Sequence, residues 1–342
     1  MMSIQSEFKK FNEKIRLDYG TNSELAEKRD TLLRILENDK DLPSFKKLDQ
    51  GSYAMYTGIK PGDGREYDID VGLRFNVNKS EYDPMDLKED IEKLLKNHTE
   101  YGAEIKKPCV TVTYKKDGEP SYHVDLVVYV YEDKDNTDSQ IYIAKGIKGN
   151  KDSQKWDKAD PKGLVEHINN GVEMGKQRDQ FRRMLRYLKR WKHRRFDAKG
   201  HSEPSSIGLN LIALDNFIYY EEDDLSALIH IVDSIVNSFR FEGIDKDGDF
   251  LYRIKSPLPI ELDFELNSDV FEKMSDRQMT DFKEKAEKLQ SDLNGVENET
   301  DEHEKYKKLQ KIFGDDFEVP EEEKTAKKQY NYIPSSSSSG ME

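Results

Sequence analysis

The 342-residue chain holds one cysteine, Cys109, and two tryptophans. A single thiol cannot close an internal disulfide and has no sulfur partner for a thiolate metal site, so disulfide scaffolds and zinc ribbons are excluded and a reducing compartment is expected. Long hydrophobic runs are missing as well. No stretch approaches the ~20 apolar residues that a bilayer-spanning helix needs, and Met1 to Lys10 is polar where a signal peptide is apolar. These absences predict a cytoplasmic protein with no membrane partner. Excess positive charge is lacking too: 55 Lys and Arg stand against 69 Asp and Glu, for a net charge of −14. Binding along a nucleic-acid backbone depends on lysine and arginine displacing condensed counterions, so no long nucleic acid is expected as a partner.

What is present is enough for real cores: 35% of residues are apolar, and the length exceeds the ~250–300 residues at which single cores stop growing. Residues 1–45 read as an N-terminal helical lead-in, with Phe8, Phe11 and Ile15, then Leu25, Leu32, Leu33, Ile35 and Leu36 at helical spacing and a break near Tyr19 to Asn22. Residues 46–150 change to short strand-like runs, Tyr67 to Phe75, Val110 to Tyr114 and Tyr122 to Tyr131, with a helix between Met85 and Asn97. After the polar stretch Glu132 to Asn150 the strands largely disappear. Residues 151–318 read as a helical domain, with helices at 161–170, 172–195, 205–220, 224–239 and 276–293. Residues 319–342 are charged and then serine-rich, the composition of a flexible polar tail. The fold class is α+β.

The chemistry concentrates in Gln50-Gly51-Ser52-Tyr53, followed by Tyr67-Asp68-Ile69-Asp70-Val71-Gly72-Leu73. Alternate side chains of a strand share a face, so Asp68 and Asp70 project together about 7 Å apart while Tyr67, Ile69, Val71 and Leu73 face a core. In His123-Val124-Asp125-Leu126-Val127-Val128 the same parity brings Asp125 round to face the pair. Hard carboxylate oxygens beside phosphate oxygens suit magnesium, and phosphoryl transfer gains from two ions flanking the reacting phosphorus. An isolated Asp-x-Asp is more often an exposed strand edge; Gly51-Ser52 upstream and Asp125 at matching parity downstream reverse that preference. Gly51-Ser52 supplies a turn whose N–H groups can approach a triphosphate closely. Positive charge for an anionic ligand lies between Lys176 and Arg195, where Arg182, Arg186 and Lys189 line one edge of an apolar stripe of Phe181, Met184, Leu185, Leu188 and Trp191.

These segments, with Lys155-Trp156, Asp160-Pro161-Lys162, FRRMLRYLKRW from Phe181 and Pro204-Ser205-Ser206-Ile207, resemble the bacterial cGAS/DncV-like nucleotidyltransferases of anti-phage cyclic-oligonucleotide signalling, especially the bacterial cyclic GMP-AMP synthase group. The resemblance spans roughly residues 48–215. It implies a polymerase-beta-like core of mixed sheet and helices joined to a helical domain, with the active site in the cleft between them. It implies Asp68, Asp70 and Asp125 as catalytic, metal-binding residues and two magnesium ions, or manganese in their place. It also implies that Gln50, Gly51, Ser52, Tyr53, Ala54 and Met55 line the donor-nucleotide site, that Lys189 and Ser206 hold the triphosphate, and that Asp263, in Glu261-Leu262-Asp263, contacts a base. The substrates implied are ATP, GTP or both, the product a cyclic di- or trinucleotide, and the tail a route to a regulatory protein partner. Two features depart from the family. Ile207 stands where the animal relatives place a base-stacking tyrosine, leaving Tyr53 and Tyr56 as stacking candidates, and Gly340 is followed by Met341-Glu342 although related tails are conjugated through a terminal glycine.

Rival readings fit less well. A dehalogenase-type phosphatase places its Asp-x-Asp at the end of an early strand and needs no Gly-Ser turn. Asp245-Lys246-Asp247-Gly248-Asp249 has acids at loop positions 1, 3 and 5 of an EF-hand, but position 6 is Phe250 and position 12 is Ser256, so an ordinary polar turn is expected. A linear oligonucleotide synthase, such as an oligoadenylate synthase or a template-independent polymerase, would use the same three aspartates and is the alternative function; three intact aspartates argue against a nucleotide sensor with a decayed site.

Overall fold

The computed structural model describes residues 3–17, 23–62, 64–116, 119–197, 202–255 and 269–321. Helices α1 (Ile4–Ile15) and α2 (Ser23–Glu37) lead into β1 (Phe45–Asp49), the short α3 (Gly51–Ala54), β2 (Tyr67–Asn78), α4 (Asp86–Leu95), β3 (Ala103–Ile105), β4 (Val110–Lys116), β5 (Glu119–Tyr131), β6 (Ile141–Ile147) and β7 (Asn150–Ala159). These strands form one sheet in the order β1-β2-β5-β4-β3, with β6 continuing along β5 and β7 pairing β6. Only β2 and β5 run parallel, and their register sets Asp68 beside His123 and Asp70 beside Asp125.

Period-two alternation sorts β2. Ile69, Val71, Leu73, Phe75 and Val77 are buried in a core completed by Leu32, Leu33 and Leu36 of α2 and Leu87, Ile91 and Leu95 of α4. Asp68, Asp70 and Gly72 therefore lie on the opposite face. As a parallel neighbour in register, β5 repeats the division, with Val124, Leu126, Val128 and Val130 in the core.

A second core is helical. It is built by α5 (Pro161–Asn170), α6 (Lys176–Arg195), α7 (Ser206–Asp215), α8 (Asp224–Asn237), α9 (Asp276–Glu297) and α10 (Glu302–Phe313), with a small hairpin of β8 (Arg240–Ile244) and β9 (Phe250–Arg253) at its side. Helix α1, although first in the chain, belongs here: Phe8 and Phe11 pack their rings against Tyr187, Phe313 and Phe317. Asp224, fully buried, ties three elements together by accepting from Arg183, Gln180 and Tyr187 while its backbone N–H donates to Gln5.

Three sequence expectations are corrected here. Strands do not end with the polar stretch 132–150: β6 lies within it and pairs with β7, which runs beyond it to Ala159 as an edge strand rich in Lys and Asp. Helix α10 was missed, since Tyr306, Leu309, Ile312 and Phe313 are thinly spread among charges. Helix α6 starts at Lys176, after Gly175 at φ +99°, rather than at 172. The acidic loop at 245–249 is the turn of the β8–β9 hairpin, and Arg277 lies among its three carboxylates. Among the described residues no helix is long and apolar enough to cross a membrane.

Candidate active site

Asp68, Asp70, His123 and Asp125 share the sheet face that looks toward α6 and α7. A cleft of about 580 Å³ separates them from those helices and is lined by Gly51, Ser52, Met55, Asp68, Asp70 and His123 on one side and by Lys189, Lys192, His193, Ser206 and Asn210 on the other. One ligand atom each from Asp68, His123 and Asp125 lie within 4.8 Å of one another. Crowding carboxylates in a partly buried place disfavours their charged forms. Burial, then the charges of Asp68 and Asp125, push the Asp70 carboxyl up to about 8. Asp125 is likewise raised by burial and by Asp68, against the pull of the Thr111 hydroxyl, which donates to its Oδ1 at 2.5 Å.

His123 could serve as a ligand or as a cation. Its Nδ1 meets Glu66 at 3.0 Å and its Nε2 meets Asp68 at 3.3 Å. Burial lowers its pKa, but bonds to Asp68 and Glu66 and the Asp125 charge outweigh it and raise the group to about 9. With both nitrogens donating, an imidazolium here balances the carboxylates; a neutral ring would offer one nitrogen to a metal.

The Gly51 turn is fixed from below. Gln50 is buried, and its Oε1 accepts from the Tyr129 hydroxyl at 2.9 Å. Gly72 makes room for that amide, since a Cβ there would come within 3.0 Å of it. Gly51 has φ +63°, and a Cβ would fall 2.0 Å from Asp70 Oδ2. Only glycine fits this close approach of turn to carboxylate.

The sequence-predicted residues are thus placed as follows. Asp68, Asp70, Asp125, Gly51 and Ser52 are brought together, and Met55, Lys189 and Ser206 face them or flank them across the cleft. Gln50 lies beneath the turn; Tyr53 carries the Arg29 guanidinium over its ring at 5.7 Å, and the Ala54 carbonyl accepts from Asn169. Tyr56, at φ +57°, stacks on Arg182 and lines a separate cavity with Arg183 and Arg186. Asp263 and the tail beyond Glu321 lie outside the described residues. Sequence reasoning overlooked His123 and Thr111, though both could have been found by strand parity: His123 stands two residues before Asp125, and Thr111 is its partner in the β4–β5 register.

On the helical wall, Lys189 donates to the Thr57 carbonyl and hydroxyl at 3.0 and 3.2 Å. Burial, then Lys192 and Arg186, lower it to about 7. Lys192, three residues on, donates to Ser206 Oγ at 2.7 Å.

Residues 44–129 match the family described as "Cyclic GMP-AMP synthase DncV-like, nucleotidyltransferase domain", which covers β1 to β5 and all three aspartates. Over this segment the chain is similar to the DncV-like nucleotidyltransferase domain. Among curated relatives, a "Cyclic GMP-AMP synthase" of Escherichia albertii is 27% identical over 183 residues, 51% of this chain and 38% of that protein. A "c-di-GMP synthase" of Roseivirga ehrenbergii is 26% identical over 166 residues, 45% of this chain and 42% of that protein. The chain spans about two fifths of the length of these two relatives. The fold of the sheet core and the helical core is shared more widely. The Bradyrhizobium diazoefficiens CD-NTase CdnG, solved in complex with GTP, aligns at TM-score 0.68 and 15% identity, covering 92% of this chain and 97% of that one. Vibrio cholerae DncV, a cyclic AMP-GMP synthase, aligns at TM-score 0.60 and 21% identity, covering 84% and 76%. The α+β class and the polymerase-beta-like architecture expected from the sequence are those of these structures.

Proposed function

We propose that this chain joins nucleoside triphosphates into a cyclic di- or trinucleotide, acting in the cytoplasm in bacterial defence against phage. The observation that carries the reading is the convergence of Asp68, Asp70 and Asp125 opposite the Gly51-Ser52 turn and across a cleft from Lys189, Lys192 and Ser206. Relatives named as cyclic dinucleotide synthases, and a fold shared with proteins solved with GTP and with ATP, support ATP and GTP as substrates.

The donor set fits divalent ions. Its oxygens are hard, and a cation would offset the burial and the carboxylate repulsion that together raise Asp70 to about 8. Asp68 and Asp70 would hold an ion shared with the triphosphate, and Asp68, Asp70 and Asp125 a second. Two magnesium ions, or manganese, supply activation of the attacking hydroxyl and neutralisation of the departing pyrophosphate. The chain's own part is placement. Gly51 lets backbone come against Asp70, Thr111 orients Asp125, Gln50 with Tyr129 holds the turn, and the Ser52 and Ser206 hydroxyls would donate to phosphate oxygens.

Release of pyrophosphate from mixed ATP and GTP with magnesium tests this reading. Wild type should release it, and Asp68→Asn and Asp125→Asn should each be slower by on the order of 10²–10³, the usual cost of removing one electrostatic element of such a site. Near-normal turnover in either folded variant would remove the three aspartates from the chemistry.

A further inference from the structure

The cleft meets a larger cavity of about 1090 Å³, and the two share Arg65, Lys192, Glu203, Ser206 and Ile207. At the shared wall one carboxylate holds two cations. Glu203 Oε2 receives Arg65 at 2.7 Å, and its Oε1 receives Lys192 at 2.6 Å. Arg65 arrives from the segment just before β2 and also donates to the Phe196 carbonyl at 2.9 Å. Lys192 comes from α6 and also donates to Ser206 Oγ at 2.7 Å and the Pro204 carbonyl at 3.3 Å. Neither cation is freely solvated: the Lys192 side chain is 4% exposed and that of Arg65 12%, whereas Glu203 is 23% exposed.

Two cations from different elements, each reaching a different oxygen of one anion, describe a seat for a tetrahedral oxyanion as well as for a carboxylate. Ser206 adds to it, because a hydroxyl that accepts from Lys192 still has its own hydrogen to donate. The carboxylate is the least buried of the three and sits outside any helix or strand, among residues 202–205 ahead of α7, so it is the member free to leave. A triphosphate entering this wall would bring several negative charges against Glu203 and could not share the cations with it.

We propose that Arg65 and Lys192 form a phosphate-binding pair in this cleft, beside Lys189, and that Glu203 occupies the phosphate's place until a nucleotide displaces it. The proposal rests on the reading of the cleft as a triphosphate site. It makes Glu203 a residue that sets nucleotide affinity: every binding event must break two charge-assisted bonds before it can make them again.

The test is calorimetric binding of non-hydrolysable GTP and ATP analogues, and of inorganic tripolyphosphate, to the full chain with magnesium. Glu203→Gln should bind all three more tightly, on the order of tenfold, the ratio that removing one competing charge-assisted bond supplies. The gain should be equal for nucleotide and tripolyphosphate, because the competitor acts on phosphate and not on base. Arg65→Met and Lys192→Met should each weaken tripolyphosphate binding, and Glu203→Gln added to Arg65→Met should recover little. Thermal melting separates a merely structural ion pair. The proposal predicts a lower melting temperature for ligand-free Glu203→Gln but a larger rise on adding tripolyphosphate than in wild type, while a structural pair predicts the lower temperature with an equal or smaller rise. Unchanged or weaker binding by Glu203→Gln, or full tripolyphosphate affinity in Arg65→Met, overturns the proposal. If wild type binds neither nucleotide analogue, the triphosphate reading of the cleft falls first.

Discussion

Asp70 is pulled in opposite directions by chemistry and stability. Its folded value of about 8 lies above the ordinary value of 3.8, so the cation-free folded protein keeps a proton that the unfolded chain has already released. Stability attached to that proton is present below about pH 4 and is lost as pH rises toward 8. Asp70→Asn should therefore raise the melting temperature of chelator-treated protein at pH 8, by roughly 2 °C or more, since each kcal/mol is worth about 2–4 °C in chains of ~150–250 residues and somewhat less in a longer one, while leaving it nearly unchanged at pH 4. The same substitution should abolish most turnover with magnesium. A lower melting temperature at pH 8 would mean that Asp70 is ionised and satisfied without a cation. Gly51 makes the complementary case. Gly51→Ala places a methyl on the Asp70 carboxylate and keeps φ +63°, so a folded variant should lose turnover much as Asp70→Asn does. Lys189 should behave more mildly: Lys189→Ala should raise KM for triphosphate more than it lowers kcat, and an unchanged KM would take this lysine out of the site.

At the scale of elements, the helical wall owes its placement to a buried ion pair. Asp224 on α8 meets Arg183 on α6 in two bonds at 2.7 Å and has no exposed surface, whereas Glu222, two residues away, reaches Lys9 where both side chains are about half exposed. Removing one partner of a buried pair strands the other, at about 3–5 kcal/mol. Asp224→Ala should thus lower the urea midpoint sharply while Glu222→Ala leaves it where it is, and equal midpoints would contradict the burial described. The same contrast explains what the sequence made legible. Strands β2 and β5 alternate apolar core residues with aspartates, so their faces and the meeting of Asp68, Asp70 and Asp125 could be read from parity alone. Strand β7 hides its pairing because Lys155 and Asp157 on one face and Lys158 on the other leave no apolar alternation, and α10 hides its stripe among lysines and glutamates. Arg65 and Glu203 carried no signal, because they stand 138 positions apart outside any helix or strand and meet only through tertiary packing.

Across the whole molecule, the cleft is a product of two cores meeting. One core fixes the aspartates on the sheet, the other fixes Lys189, Lys192 and Ser206 on helices, and α1, first in sequence but packed with α6 and α8, ties the chain's beginning to the far wall. The central claim is that this cleft closes a ring of nucleotides, and the most direct test is the product itself. The purified chain with magnesium and radiolabelled triphosphates, treated afterwards with phosphatase, should yield a labelled species that resists the phosphatase, has the mass of a cyclic di- or trinucleotide, and is absent with Asp125→Asn. Label released entirely by phosphatase from a ladder of products, or no product from any combination of triphosphates, would contradict the account.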